Sequence, residues 1–314
     1  MSIDRVATSA QTAYFLNHIQ NAGHALDKTQ ESIASGKNAN TYAGFGDKAQ
    51  VLTATIAAEA RNAAYANATK FAVTQTDLQD TQLTSLSALA SQLKKAVSDA
   101  VVNNDGSTLM AQAQSIFDQA SAILNSKDAN GDYIYAGGRT DVAPVTADSL
   151  AELLAAPSAA SIFANGDLKK SIQVGDGVTV DYGIAASDIG LGLMQALRNI
   201  AAFDSGANFA AGPTLSAAQN SFLTGMIATT GSVAVDLNAA TAANGYVANR
   251  LEDAQTQQAS MTTLYKSFVS NIQDTNMADA ATQLSLNQTQ LQAALQVTAG
   301  LHQLSLLNYL SPGR

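Results

Sequence analysis

The 314-residue chain carries 16 Lys and Arg against 25 Asp and Glu, a formal charge of -9, so a phosphate backbone is repelled and nucleic acid is excluded as a partner. It has no Cys, which removes disulfides, zinc-thiolate sites and thiol catalysis together. At this length 46% hydrophobic residues are ample for a buried core, yet only 6% are aromatic and Trp is absent, a makeup that suits long helices packed through small residues.

The chain opens with "MSIDRVATSAQTAYFLNHIQ", where an acid stands beside its base and no apolar stretch of signal-peptide length follows, so a cleavable signal peptide is not expected. No run of about 18 apolar residues predicts a membrane span. From Val6 to Leu26 there is no Asp, Glu, Lys or Arg, and Leu16, Ile19, Gly23, Leu26, Gln30 and Ile33 recur at alternating three- and four-residue spacing, the pattern of a helix with an apolar stripe. "SGKNANTYAGFGDK" interrupts that helix with glycines and turn formers.

A second helix carries the seam Leu83, Leu86, Ala90, Leu93, Val97 and Ala100, continues upstream in smaller residues towards Val51, and stops at the turn "NNDGS" of 103–107. "TLMAQAQSIFDQASAILNS" predicts a third helix. The middle differs in texture: "NGDYIYAGGRT" at 130–140 is a turn followed by alternating aromatic residues, and "SIQVGDGVTVDYGI" at 171–184 reads as a hairpin around Gly-Asp-Gly. Helix then resumes in "SDIGLGLMQALRNIAAF", with Ser187 or Asp188 as the expected cap.

The longest periodicity follows. Leu223, Met226, Thr230, Val233, Leu237, Ala240, Asn244, Val247, Leu251, Ala254, Gln258, Met261, Tyr265, Phe268 and Ile272 form a coiled-coil seam in which only Thr230, Asn244 and Gln258 are polar. From Ala280 to Gly313 there is again no Asp, Glu, Lys or Arg, although Leu291, Leu295, Leu301, Leu304, Leu307 and Leu310 punctuate the stretch. Two uncharged apolar ends without a core of their own call for a partner.

The expected architecture is therefore mainly α: a long antiparallel coiled-coil or helical-bundle rod with a small β-rich inserted outer domain. Residues 1–45 with 275–314 are expected to form a terminal helical domain, 46–138 with 190–274 the rod, and 139–189 the β-rich outer domain. Leu83, Leu86, Leu93, Val97, Val247, Leu251, Met261, Tyr265, Phe268 and Ile272 are the expected rod core.

Sites of chemistry are not forthcoming. "GFGDKA" at 44–49 matches a relaxed dinucleotide fingerprint, but no strand precedes it, and a loop needing glycine conformations is the better reading. Asp128, Asn130 and Asp132 begin like a calcium loop, yet glycine stands one position early and Arg139 occupies the place of the bidentate acid. His18 and His24 lie six residues apart, pointing about 120° from each other on a helix, and cannot chelate together. With His302 they are better suited to interface hydrogen bonds. No nucleophile elbow, zincin motif or phosphate loop occurs. No catalytic, cofactor or metal residue is assigned, and a non-enzymatic protein is expected.

Three stretches carry a family resemblance. "LDKTQESIASGKNANTYAGFGDKAQ" and "SNIQDTNMADAATQLSLNQTQLQAALQ" resemble the conserved terminal segments of the bacterial flagellin superfamily. "NGDYIYAGGRTDVAPV", with Tyr133, Tyr135, Ala136, Gly137, Thr140 and Pro144, resembles its hook-associated branch, with Tyr135 and Val145 in place of the commoner aromatic residues. The resemblance implies a structural subunit at the hook-filament junction, exported without a cleavable signal peptide to the extracellular flagellum. A filament subunit and a flagellin-like surface adhesin are the alternatives. Implied partners are copies of itself, a neighbouring hook-associated protein, flagellin, the flagellar export apparatus and an export chaperone, with no cofactor, nucleic acid or membrane. The terminal helices would then be disordered in the monomer and form the assembly interface through Leu16, Ile19, Leu26, Ile33, Leu291, Leu295, Leu301, Leu304, Leu307 and Leu310. The tyrosine-bearing stretch at 130–145 is expected to supply part of the neighbour selectivity that separates a junction protein from a filament subunit.

Overall fold

The computed structural model describes the backbone of residues 3–212 and 214–310, and the side chains of residue 10 and of residues 13–212 and 214–300. In chain order the elements are α1 (Ile3–Ser35), a 3-10 stretch (Tyr42–Lys48), α2 (Ala49–Asn103), α3 (Leu109–Leu124), α4 (Leu150–Ala155), a 3-10 turn (Ala159–Ile162), β1 (Ser171–Gly175), β2 (Val178–Asp181), α5 (Ala186–Ala207), α6 (Ala217–Gln273) and α7 (Met277–Leu310). The mainly α architecture with one small two-stranded sheet agrees with the sequence reading. The chain divides into two compact units, residues 62–260 and residues 1–61 with 261–314. They part inside α2 and α6, whereas the sequence pattern suggests boundaries near 45 and 274.

Within residues 62–260 the seam of α2 is driven inward by its three-four spacing. Leu83, Leu86, Leu93 and Val97 have no exposed surface. They share one core with Phe117 and Leu124 of α3, Leu193, Leu197 and Ile200 of α5, and Leu223 and Leu237 of α6. Each such side chain contributes about 1.5–3 kcal/mol by burial. Val145, Leu150, Leu153 and Ile162 belong to the same core. Residues 139–189 thus pack as part of this unit, because their apolar side chains find cover on its helices.

The turns follow from local chemistry. After α2, Asn104 adopts a left-handed φ of 54°, and the Asp105 N–H bonds to the Ala100 carbonyl at 3.0 Å. Both Ser107 donors, backbone first and side chain second, hold the Asp105 carboxyl below its ordinary value. Beside this turn Phe203, Phe209 and Phe222 stack, the closest ring pair 4.0 Å apart, and the Leu215 N–H donates to the Asn104 carbonyl at 3.0 Å. The hairpin pairs antiparallel, Ile172 opposite Val180 and Gln173 opposite Thr179, and turns through Asp176 and Gly177. Its inner side chains, Val174, Val180 and Tyr182, cover Ala72 of α2 and Leu251 of α6.

The expected cap of α5 is corrected. The N-cap is Ala185, whose side chain makes no hydrogen bond, and the helix begins two residues before Asp188. Acceptors from elsewhere replace a local cap: the Ala186 N–H donates to the Tyr135 carbonyl at 2.9 Å and the Ser187 N–H to Asn165 Oδ1 at 3.2 Å. Asp188 instead sits in the first turn, favourable for the helix dipole, and pairs with Lys169 at 3.2 Å.

Within the smaller unit α1 and α7 pack as an antiparallel pair, fixed at one end by a knot of hydrogen bonds. The Asn38 N–H donates to the Gln273 carbonyl at 2.8 Å, the Thr275 N–H to the Gly36 carbonyl at 2.9 Å, and Asn38 Nδ2 to the Ile272 and Asp274 carbonyls at 3.0 and 2.9 Å. Gly36 supplies the φ of +69° that turns the chain out of α1.

Candidate assembly interface

Along α1 the covered column is Phe15, Ile19, Ala22, Leu26, Thr29 and Ile33, with Gly23 and Ser32 half-buried beside it, and along α7 it is Ala280, Leu284, Asn287, Leu291, Ala294 and Thr298, with Gly300 half-buried beside it. Both sets follow the four-three alternation of a coiled-coil seam. At its centre Asn287 is only 3% exposed, and its Nδ2 donates to Thr29 Oγ1 at 2.9 Å and to the Ala25 carbonyl at 3.2 Å. A buried amide with two specific acceptors fixes one alignment of the helices, since sliding either helix would strand it.

The residues expected to form the interface divide into two groups. Ile19, Leu26, Ile33 and Leu291 are half-buried in the α1–α7 seam. Leu16 and Leu295 are not: they are 50% and 49% exposed, on outward faces with Tyr14, Leu286 and Val297. The seam column of α1 thus runs through Phe15 and Thr29 where the spacing suggests Leu16 and Gln30, while Ala22 and Gly23 are both half-buried. The side chains of Leu301, Leu304, Leu307 and Leu310, like that of His302, lie outside the described residues. Asn287 and Phe15 escape sequence reasoning. Asn287 has one signal there, an amide seven residues after Ala280 and four before Leu291.

Of the expected rod core, Leu83, Leu86, Leu93, Val97 and Leu251 are fully buried and Val247 is half-buried beneath the hairpin. Beyond Gln258 the seam of α6 loses its cover. Met261 and Phe268 are 37% and 50% exposed, a correction to their expected burial, while Tyr265 and Ile272 are half-buried. In the smaller unit Val51, Ile56, Leu264 and Met277 are exposed as well, so apolar surface is concentrated there.

The tyrosine-bearing stretch turns out to be an internal plug. Tyr135 has no exposed surface, and its hydroxyl donates to Gln82 Oε1 of α2 at 2.6 Å while Gln82 Nε2 donates to Ser126 Oγ at 2.9 Å. Burial pushes the Tyr135 phenol well above the ordinary tyrosine value. Burial first, then the charge of Asp128, also raises Tyr182. Gly137 has φ +63°, and a Cβ there would meet the Gly166 carbonyl oxygen at 2.2 Å, so only glycine fits. What remains accessible is Tyr133, its ring under Lys127 Nζ at 4.5 Å, with exposed Arg139 and Asp141. Neighbour selectivity through Tyr135, Ala136 or Gly137 is therefore corrected to an internal packing role.

The loop candidates for ligands have structural explanations. Asp128 Oδ1 accepts from the Asn130 and Asp132 N–H groups at 2.8 and 3.1 Å, tying its own turn. "GFGDKA" falls in the 3-10 stretch between α1 and α2, where Gly46 has φ +54°. His18 and His24 are exposed, and His18 meets the Tyr14 ring edge-on at 4.4 Å. Among the described residues no group of three or more His, Cys, Asp or Glu side chains converges on one point, and no helix is long and apolar enough to cross a membrane.

The site as a whole is a pair of long terminal helices aligned by a buried amide, with apolar faces left open. Residues 227–310 match the bacterial flagellin C-terminal helical region, so the flagellin resemblance is borne out over that part of the chain. Over 144 residues the chain is 27% identical to flagellar hook-associated protein 3 of Salmonella typhimurium. That alignment spans 45% of this chain and 45% of the Salmonella protein, less than half the length of this curated relative. In fold, the chain is similar to the solved structure of a flagellar hook-associated protein from Vibrio parahaemolyticus (TM-score 0.58, 18% identity, 72% of this chain and 97% of that one). FlgL from Bacillus cereus is similar too (TM-score 0.52, 12% identity, 69% of this chain and 98% of that one).

Proposed function

We propose that the chain is a non-enzymatic structural subunit of a bacterial flagellum, joining hook to filament. The observation that carries this reading is the α1–α7 pair, whose outward faces hold Tyr14, Leu16, Leu286, Leu295 and Val297 in the open with no carboxylate or ammonium along residues 6–26 and 280–300. Such a face is stable in water only if something covers it, and identical copies arranged around an axis can cover it without repeating a charge. Likeness to the Salmonella hook-associated protein supports the junction position. Partners on this reading are further copies of the chain, a neighbouring hook-associated protein and flagellin. The export apparatus carries the subunit out without cleavage of a signal peptide, with a chaperone covering the apolar ends until assembly. The terminal helices order fully only in the assembly, because a half-covered seam offsets little of the ordering entropy.

Deleting the gene and labelling the protein in isolated flagella tests the proposal. Expected are intact hooks, filament protein lost to the medium, and immunogold label in a short band where hook meets filament. Continuous label along the filament would establish a filament subunit, and label elsewhere on the cell surface an adhesin.

A further inference from the structure

Three Asn-Gly pairs occur in the chain, at 130–131, 165–166 and 244–245. This dipeptide is chemically unstable, because a glycine N–H with no side chain to shield it can attack the preceding side-chain amide and close a five-membered ring. The attack needs a free asparagine side chain and a main chain that bends to bring the two groups together, so the fold decides which pair reacts.

Asn244 is 4% exposed inside α6, its Nδ2 donates to the Thr76 carbonyl at 2.9 Å, and the Gly245 N–H is tied into the helix ladder. Asn165 is half-buried and held through both ends of its amide: Nδ2 donates to Ser187 Oγ at 3.0 Å, and Oδ1 accepts from the Ser187 N–H at 3.2 Å. The Gly166 N–H is engaged as well, by the Ala136 carbonyl at 2.9 Å. The Asn130 side chain is free where the other two are held. It is exposed in the 128–132 turn, and among the described residues its amide has no hydrogen-bond partner. Nothing lies within 4 Å of where a Gly131 Cβ would stand, and the Gly131 N–H makes a single turn bond, to the Asp128 carbonyl at 3.0 Å, at a surface that water reaches.

We infer that Asn130 is a site of spontaneous deamidation, with water as the only co-reactant, and that the fold protects Asn165 and Asn244 from the same reaction. The Gly131 nitrogen loses its proton and bonds to the Asn130 side-chain carbonyl carbon, the carbon–nitrogen bond of the side-chain amide breaks, and ammonia leaves. Water then opens the cyclic imide at either carbonyl. One opening gives aspartate; the other gives isoaspartate, in which the main chain runs through the side-chain carbon. Both products add a negative charge between Asp128 and Asp132, where it repels the carboxylates already present. Isoaspartate also lengthens the main chain by one carbon inside a turn closed by the bond from the Asp128 N–H to the Asp132 carbonyl at 2.9 Å, so that bond and the two that Asp128 Oδ1 accepts cannot all persist. The bridge between Lys127 and Tyr133, and the Lys127 Nζ contact with the Tyr133 ring, adjoin this turn and loosen with it. Because the reaction does not reverse, the converted fraction records the age of the molecules.

The test incubates the purified full-length chain at mildly alkaline pH, folded and in guanidinium chloride, and follows the three pairs by peptide mass spectrometry. In guanidinium chloride all three should convert at comparable rates. In the folded chain Asn130 should stay within about tenfold of its unfolded rate, while Asn165 and Asn244 slow by at least about a hundredfold because each waits on local opening. Isoaspartate should accompany aspartate at position 130, resolved by electron-transfer fragmentation. Asn130→Gln should abolish conversion there and leave the melting temperature unchanged, and Gly131→Ala should slow it at least several-fold, since its methyl crowds the attacking nitrogen. Folded protein that stays unconverted at Asn130 while the unfolded chain reacts would overturn the inference, as would Asn165 or Asn244 keeping pace with it. Aspartate without isoaspartate, or an unchanged rate in Gly131→Ala, would show direct hydrolysis in place of ring closure and overturn it too.

Discussion

Replacing Leu295 by Asp separates what holds the chain together from what holds copies together. Leu295 is 49% exposed and stands next to the α1–α7 seam, whose own member Leu291 is half-buried. Full burial of a leucine side chain contributes about 1.5–3 kcal/mol, so the fold realises roughly half of that at Leu295 and an assembly gains the rest, about 0.7–1.5 kcal/mol per copy. Aspartate in the isolated chain keeps its carboxylate in water, and the loss is limited to about 1 kcal/mol. In an assembled interface the same carboxylate would lie unpaired against apolar neighbours, at a cost of several kcal/mol. The assay is a paired one: thermal melting of the purified variant and its incorporation into flagella relative to wild type. Melting should shift little while incorporation falls by more than tenfold. Leu291→Asp should differ, speeding amide exchange across α1 and α7 in the isolated chain. Normal incorporation of Leu295→Asp, or loss of α1–α7 protection equal to that caused by Leu291→Asp, would refute the division of the face into an inner seam and an open side.

Four other substitutions probe the lower layers. Tyr135→Phe removes the bond to Gln82 and leaves a partly buried acceptor unmet, about 1–2 kcal/mol near neutral pH by denaturant unfolding. Because burial raises the Tyr135 phenol above its ordinary 10.0, its contribution is complete below that pH and is lost as pH rises beyond it, so the wild type should lose stability above about pH 10 more steeply than the Phe variant. Gly137→Ala should destabilise by roughly 2–5 kcal/mol, from a left-handed φ and a clash with backbone, whereas Gly131→Ala, with a φ of +87° but nothing within 4 Å, should cost only about 1 kcal/mol. Asn287→Leu should strengthen the α1–α7 pair while blurring its alignment, seen as slower exchange together with scattered inter-helix crosslinks; a single unchanged set of crosslinks would show that the knot at Asn38 suffices.

Periodicity and turn chemistry in the sequence determine the elements. The three-four spacing of Leu83 to Val97 and of Leu223 to Leu251 dictates two long helices with buried seams, because positions at that spacing share one face of a helix. The Gly-Asp-Gly of 175–177 dictates a hairpin, because Gly177 takes the φ of +73° that the turn requires. The sequence cannot decide which adjacent column of an uncharged helix faces its partner. Leu16 satisfies the spacing of α1 as well as Phe15 does, and between residues 6 and 26 no charge marks the outer side. The structure settles it through Asn287, whose amide finds the Ala25 carbonyl and Thr29 Oγ1 in only one register. The start of α5 was decided at a distance too, by the Tyr135 carbonyl and the Asn165 side chain, and so was the burial of Tyr135, whose alternating aromatic neighbours suggest surface until Gln82 of α2 closes over the hydroxyl. Spacing along the chain sets which residues share a face, but the depth of that face and the exposure of the last turns of α6 depend on which groups far off in sequence arrive to cover it.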